Sequence, residues 1–325
     1  MKAWCAPRCG DPAEVLAFEE LPDPQIQPGH AYIEVLAVGL SYADVLMCQG
    51  TYQFPTPLPY VPGGETVGVV RAVAEPATHG HLVGRLVFVL GGGLQHLTVD
   101  PYESIFPLPD GTDAASVAAL PVNYATAAFC LREIRAVEEK EWVLVLGAAG
   151  GLGAAVVDYA MYLGARVIAV VGGGKKVGAS LAQGRADVVL DYQDHEDFRD
   201  AVMEETDGEG VSACIDPVGG SVSATARRCI KWRGTHVVVG FASGSVPEVP
   251  LNHVLVKGYD IAGANWGGFI LRHPDTVAPA VRHVLELHQR GELHPLSTVY
   301  EFTDARTALV AHAHRESIGK VVVRT

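Results

Sequence analysis

Between residues 142 and 263, apolar runs of strand length alternate with stretches of helical spacing. The runs fall at 142–146, 166–171, 187–191, 211–215 and 235–240, with one more at 258–263. Strands that alternate with helices in this rhythm predict a parallel, doubly wound sheet joined by right-handed crossovers. Residues 1–120 follow another pattern. Short β-like runs at 31–38, 66–73 and 85–90 are separated by turn signals such as Pro28-Gly29 and Pro62-Gly63-Gly64. They predict a mainly antiparallel β domain. An Ala-rich stretch at 113–136 has helical spacing and leads from one region to the other. Near the C-terminus, an amphipathic helix at 275–290 precedes a last strand, Lys320–Arg324.

One segment of this pattern carries chemistry. Gly147-Ala148-Ala149-Gly150-Gly151-Leu152-Gly153 follows the first strand of the parallel region and precedes a predicted helix at 154–163, which Gly164 closes. The spacing is G-x-x-G-x-x-G. A strand, a tight glycine turn and a helix N-terminus form a site for a pyrophosphate, because backbone N–H groups and the helix dipole face the anion. An NAD site places an acidic residue about 20 residues beyond the glycines to hold the ribose 2′-hydroxyl. Here that position reads Gly172-Gly173-Gly174-Lys175-Lys176. Small residues leave room for a 2′-phosphate and lysine neutralises it, which predicts NADPH over NADH. The competing reading of Lys175 and Lys176 is a solvated helix start.

The chain has 325 residues, enough for two domains, with 49% hydrophobic and 19% charged residues, as in a globular protein with a sizeable core. A net charge of −13 argues against nucleic acid or an anionic membrane as the main partner. No apolar run reaches about 18 residues and no signal peptide is apparent, so a cytoplasmic location is the expectation. The six cysteines are scattered without a C-x-x-C pair, and disulfides are not expected. The pairs His79/His81 and His312/His314 have no carboxylate or cysteine at ligand spacing, so no metal is expected there.

Motifs spread over nearly the whole chain resemble the medium-chain dehydrogenase/reductase superfamily, in its zinc-independent quinone oxidoreductase (zeta-crystallin-like) group. They are Gly39-Leu40-Ser41-Tyr42-Ala43-Asp44 with Gly50-Thr51-Tyr52, Pro59-Tyr60-Val61-Pro62-Gly63-Gly64-Glu65, the glycine loop, Asp187–Tyr192, Asp216-Pro217-Val218-Gly219-Gly220 and Gly319-Lys320-Val321-Val322. The resemblance implies an α/β chain: a Rossmann doubly wound parallel sheet plus a GroES-like antiparallel β domain. The implied boundaries are 1–122 for the substrate domain, 123–264 for the cofactor domain and 265–325 for the return. It also implies a homodimer, formed by pairing edge strands near 258–263. Zinc-dependent members carry a cysteine and a histidine in the segments where this chain reads Leu40-Ser41-Tyr42-Ala43-Asp44 and Gly63-Gly64-Glu65, and four closely spaced cysteines for a structural zinc. No cysteine lies between Cys48 and Cys130, so metal-free hydride transfer to an electrophilic acceptor is implied. Ser41 also departs from the asparagine common in quinone reductases.

The resemblance assigns the cofactor contacts residue by residue. Thr126 approaches the nicotinamide side. Gly150, Gly151 and Leu152 hold the pyrophosphate, and Gly173, Lys175 and Tyr192 surround the 2′-phosphate. Val218, Gly240, Phe241 and Ser243 sit at carboxyl ends of strands, where ligands bind in open α/β sheets. Asn265 and Trp266 border the nicotinamide, and Arg315 and Lys320 are candidate phosphate partners. For the acceptor, the hydroxyls of Ser41, Tyr42 and Tyr52 are candidate donors to a developing oxyanion, with Asp44 orienting one of them. Aromatic packing for the tyrosines and a capping role for the aspartate are equal readings. The expected activity is NADPH-dependent reduction of a quinone. The alternatives are an enone or enoyl (acyl-CoA) reductase and a non-catalytic NADPH-binding protein.

Overall fold

A computed structural model describes residues 1–184, 186–193 and 197–325, with the side chains of 181–183 left aside. The chain divides into two compact units. Unit 1 comprises Met1–Pro121 and Ser297–Thr325, and unit 2 comprises Val122–Leu296.

Unit 1 is built on strands β1 (Lys2–Cys5), β2 (Ala17–Glu20), β3 (His30–Leu40), β4 (Glu65–Val73), β5 (Leu86–Leu90), β6 (Leu97–Pro101) and β7 (Ile105–Pro107). β1 and β2 pair as an antiparallel ribbon. Strand β3 is the spine of the larger sheet. Its burial alternates along the first half and becomes continuous from Val38 to Leu40, where a second layer covers it. That layer includes the short helix Ala114–Ala118, seated so closely that a Cβ on Gly39 would lie 2.1 Å from the Ala118 carbonyl oxygen.

Among the described residues, unit 2 holds six strands: β8 (Trp142–Leu146), β9 (Arg166–Val171), β10 (Val188–Asp191), β11 (Val211–Asp216), β12 (Ile230–Val238) and β13 (Asp260–Gly263). Their order is β10-β9-β8-β11-β12-β13, and every pairing is parallel. The order reverses at β8, so the chain leaves the sheet to opposite sides at the carboxyl ends of β8 and β11, where open α/β sheets take up ligands. The central strand β8 is wholly buried over Val143–Leu146 because helices cover both faces of a parallel sheet.

One strand boundary and the domain boundary differ from the sequence expectation. Strand β12 begins at Ile230, not at 235, because Arg233 takes a left-handed φ of 62° and the chain re-enters the sheet past Gly234 after a register shift. The chain also returns to unit 1 at Ser297, not at 265. The intervening helices Trp266–Arg272 and Val277–Gln289 stay with unit 2. Phe269 packs on Phe129 with centroids 4.8 Å apart. The fully buried Asp158 accepts hydrogen bonds from Tyr124 Oη and His294 N, both at 2.7 Å.

Past that boundary, β14 (Ser297–Glu301) and β15 (Lys320–Arg324) complete the seven-stranded sheet of unit 1, with β15 antiparallel to β3. Trp4 Nε1 donates to the Phe302 carbonyl at 2.7 Å and fastens the returning segment to the first strand. Among the described residues, no helix is long and apolar enough to cross a membrane.

Candidate functional site

In unit 2, the helix Gly151–Tyr162 begins three residues earlier than the sequence suggested, so Gly151 and Gly153 lie inside its first turn. Gly150 is the N-cap, in extended backbone, and Gly147 turns the chain at φ 61°. A Cβ on Gly153 would stand 2.1 Å from the Gly147 carbonyl oxygen, so only glycine lets the helix sit this close to the strand end. Gly150 N–H is spent on Gly147 O at 2.9 Å. The first-turn N–H groups, those of Gly151 and Leu152 among them, are the ones an α-helix leaves without a helical carbonyl. They belong to a 12-residue helix whose dipole adds to their pull on an anion.

At the end of β9, Gly173 takes φ 96° and its N–H donates to both carboxylate oxygens of Asp191, at 2.9 and 3.1 Å. Asp191 also accepts from Gln193 N. This buried acid is therefore occupied in shaping the turn. The Tyr192 ring covers Gly172, where a Cβ would meet its hydroxyl oxygen at 2.5 Å. Beyond it the surface opens. Gly174 has nothing within 4 Å of a built Cβ, and Lys175 is exposed on the first turn of the helix Gly174–Gln183.

At the end of β11, Asp216 Oδ1 accepts from Val218 N and Gly219 N, both at 2.8 Å, and fixes the turn 216–219. Val218 leans on the glycine loop, since a Cβ on Gly147 would meet its Cγ2 at 2.9 Å. The segment after β12 is laced to the same turn. Gly240 N reaches Asp216 O at 3.4 Å, Ser243 N reaches Val218 O at 2.8 Å, and Phe241 covers Gly219. Unit 2 thus gathers Gly150, Gly151, Leu152, Val218, Gly240, Phe241 and Ser243 around the carboxyl ends of β8, β11 and β12.

Three other assigned residues have local duties. Thr126 Oγ1 donates back to Val122 O at 2.7 Å within its helix. Asn265 caps the helix Trp266–Arg272 by accepting from Gly268 N at 2.8 Å. Trp266 belongs to an aromatic cluster, 5.5 Å from Phe129 and 5.9 Å from Phe269 between centroids.

In unit 1 the centre of the acceptor segment is Asp44, only 3% exposed. Its Oδ2 accepts from Ser41 N at 2.6 Å and Ser41 Oγ at 3.0 Å. Its Oδ1 accepts from Tyr60 Oη at 2.5 Å and Gly63 N at 2.8 Å. Four donors compensate the buried charge. Asp44 forms a capping box with Ser41 at the start of the helix Tyr42–Gln49, the capping role read from the sequence, and its tyrosine partner is Tyr60 and neither Tyr42 nor Tyr52. Sequence reading missed Tyr60, although the residue lies inside a quoted motif, because nothing local announces a bond across 16 positions. Burial, reinforced by the charge and bond of Asp44, pushes the Tyr60 phenol far above its ordinary range. Tyr42 meets the ring of His312 edge-on at 5.9 Å, and Tyr52 meets Phe54 edge-on at 5.8 Å.

Lys320 requires a correction. It is 2% exposed, and its ammonium is paired with the buried carboxylate of Glu65. A buried ammonium needs a buried anion, so this lysine is taken up inside unit 1 and does not serve as a phosphate partner. Arg315 is exposed just after the helix Ala305–Ala313, at φ 61°. Beside the ion pair, His312 bonds Ser317 Oγ through Nδ1 at 2.9 Å. Burial, and then the positive charge of Lys320, pull its pKa from 6.5 down to about 4. A depressed histidine pKa favours the fold while the ring is neutral, so its contribution is complete above about pH 6.5 and is lost as pH falls towards about 4. The loss amounts to about 2–3 kcal/mol. Denaturant titrations from pH 7 to pH 4 are expected to show this extra decline in the natural chain and to lack it in H312Q.

Two family models match the chain: "Alcohol dehydrogenase GroES-like domain" over residues 27–110 and "Zinc-binding dehydrogenase" over residues 151–286. A quinone oxidoreductase-like protein 2 homolog from Nematostella vectensis is 32% identical over 331 residues, spanning 100% of this chain and 90% of that protein. The quinone oxidoreductase from Thermus thermophilus, solved with its NADPH complex, is 31% identical with a TM-score of 0.83 and covers 100% of both chains. A mycobacterial protein solved in complex with NADPH is 28% identical with a TM-score of 0.87, again over 100% of both chains. With its GroES-like unit, its six-stranded parallel sheet and these full-length relatives, the chain belongs to the quinone oxidoreductase group of the medium-chain dehydrogenase/reductase superfamily.

Proposed function

We propose that the chain is an NADPH-dependent reductase of quinones that works without zinc. The observation that carries the cofactor is the glycine cradle between Gly147 and Gly153, which a single Cβ would fill. A pyrophosphate fits the first-turn N–H groups of Gly151 and Leu152. An adenosine 2′-phosphate fits the open turn at Gly173 and Gly174, where Lys175 supplies charge and Asp191 is already occupied by backbone N–H groups. The relatives solved with NADPH support the same choice.

When bound, NADPH supplies a hydride. The residues of the chain hold the reactants, and the hydrogen bonds of two of the hydroxyls near the acceptor segment, Ser41 and Tyr60, suit a quinone as acceptor. Ser41 Oγ and Tyr60 Oη both donate their hydrogens to Asp44. Neither can donate to a new oxyanion without leaving a buried carboxylate short of a partner, which costs about 1–3 kcal/mol. An enone reductase must stabilise an enolate, so it needs such a donor. Reduction of a quinone leaves a hydroquinone anion with charge spread over the ring, which makes a lighter demand. Leu40-Ser41-Tyr42-Ala43-Asp44 and Gly63-Gly64-Glu65, the segments where zinc-dependent relatives carry ligands, offer no thiolate or imidazole.

Steady oxidation of NADPH by 1,4-benzoquinone or 9,10-phenanthrenequinone, unchanged after dialysis against a chelator, is the expected result. Preference for NADPH over NADH is expected to drop about fivefold to tenfold in K175A. Uptake of NADPH with turnover of enals alone would favour the enone reading, and uptake with no turnover would favour a binding protein.

The proposed assembly is a homodimer. β13 is an edge strand, and the neighbouring helix Leu251–Lys257 leaves Leu251, Leu255 and Val256 between 77% and 80% exposed. An edge strand with its own exposed apolar flank suits a second copy related by a two-fold axis. Sedimentation at micromolar concentration is expected to give a dimer, and L255E/V256K is expected to give a monomer.

A further inference from the structure

Beneath the turn 216–219, unit 2 contains a chain of buried polar groups that the proposed reaction does not use. His236 on β12 is 1% exposed, and its Nε2 lies 3.0 Å from Asp216 Oδ2. A carboxylate oxygen only accepts, so the ring carries its hydrogen on Nε2. Its Nδ1 is buried without a hydrogen-bond partner among the described residues. Asp216 is also held by Ser223. Arg227 donates from its guanidinium to Ser223 Oγ at 3.0 Å and to the Glu248 carbonyl at 3.2 Å. The run His236–Asp216–Ser223–Arg227 therefore ties β12, β11, the helix Gly220–Arg228 and the segment after Gly240 into one frame.

An unsatisfied buried nitrogen is costly, and an apolar side chain at 236 would avoid that cost. What the imidazole provides in return is one directed N–H to Asp216. Burial alone would raise the Asp216 carboxyl, but the bonds from His236, Gly219 and Ser223 outweigh it and hold the group below the usual carboxylate range. With Oδ2 anchored by His236, Oδ1 is aimed at Val218 N and Gly219 N. Val218 in turn packs on Gly147, the first glycine of the cradle.

We propose that His236 is a positioning residue for the dinucleotide pocket. Acting through Asp216, it sets the Pro217-Val218-Gly219 turn against the glycine loop. The proposal rests on the reading that unit 2 binds NADPH, and it adds a residue that touches neither cofactor nor acceptor.

The test is an NADPH titration by ligand fluorescence, with steady-state kinetics and thermal midpoints, on the natural chain, H236L, H236Q and S223A. In H236L the dissociation constant for NADPH is expected to rise about fivefold to twentyfold, while kcat at saturating NADPH stays within about twofold. H236Q keeps an N–H for Asp216 and is expected to recover most of the affinity. S223A, which removes the next link, is expected to weaken binding by a smaller factor. If H236L does not fold, H236Q and S223A still decide the matter, since loss in S223A with retention in H236Q supports the frame. NADPH affinity unchanged in H236L, or in S223A where H236L does not fold, would overturn the proposal. So would a fall in thermal midpoint with no change in affinity, which marks a merely structural role. A natural chain that takes up no NADPH would sink the cofactor reading itself, and this proposal with it.

Discussion

The arrangement of unit 2 depends on one close contact. The helix Gly151–Tyr162 sits on the end of β8 at a distance that leaves no room for a side chain at Gly153. That approach brings the helix N-terminus to the carboxyl edge of the sheet and turns its first N–H groups towards the surface. The turn after β11 is then built against the same glycines through Val218, and the segment after β12 is built against that turn through Ser243 and Phe241. Each layer is positioned by the one before it, and the first is positioned by the absence of a β-carbon.

Unit 1 solves a different problem. Its acceptor segment opens with the helix Tyr42–Gln49, capped at Ser41, and the loop Tyr60–Gly63 is bonded to it; a helix start and a loop beside a packed core need a partner for each polar group they bury. Asp44 supplies it by taking bonds from Ser41, Tyr60 and Gly63 at once. The Glu65–Lys320 pair performs a similar service between β4 and β15. Removing one partner of such a pair leaves a buried charge unpaired, which costs about 3–5 kcal/mol. Carboxylates in this unit thus hold the fold together at positions where a sequence motif suggests chemistry.

Much of unit 2 could be read in advance because its signals are local. An apolar run, three glycines at fixed spacing and a helix predict a strand, a tight turn and an anion site without further information, and β8 and β9 fall where the pattern put them. The start of β12 could not be read so, since the left-handed Arg233 hides a strand continuing on both sides of a bulge. Long-range partnerships were least legible. Tyr60 and Asp44 are 16 residues apart, and Lys320 and Glu65 are 255 apart. A lysine in a motif near the C-terminus looks like a phosphate ligand until the fold shows the carboxylate it is buried against. The boundary at Ser297 was hidden for the same reason, because the helices before it are kept in unit 2 by Phe129 and Asp158, far away in sequence.

The central claim is that the glycine cradle is a dinucleotide site whose geometry depends on Gly153. The most direct measurement is an NADPH titration of G153A beside the natural chain, with circular dichroism to monitor the fold. A methyl group there must push the helix off the strand end, so affinity is expected to fall by about tenfold or more while the secondary structure is retained. Equal affinity in the two proteins would contradict the claim.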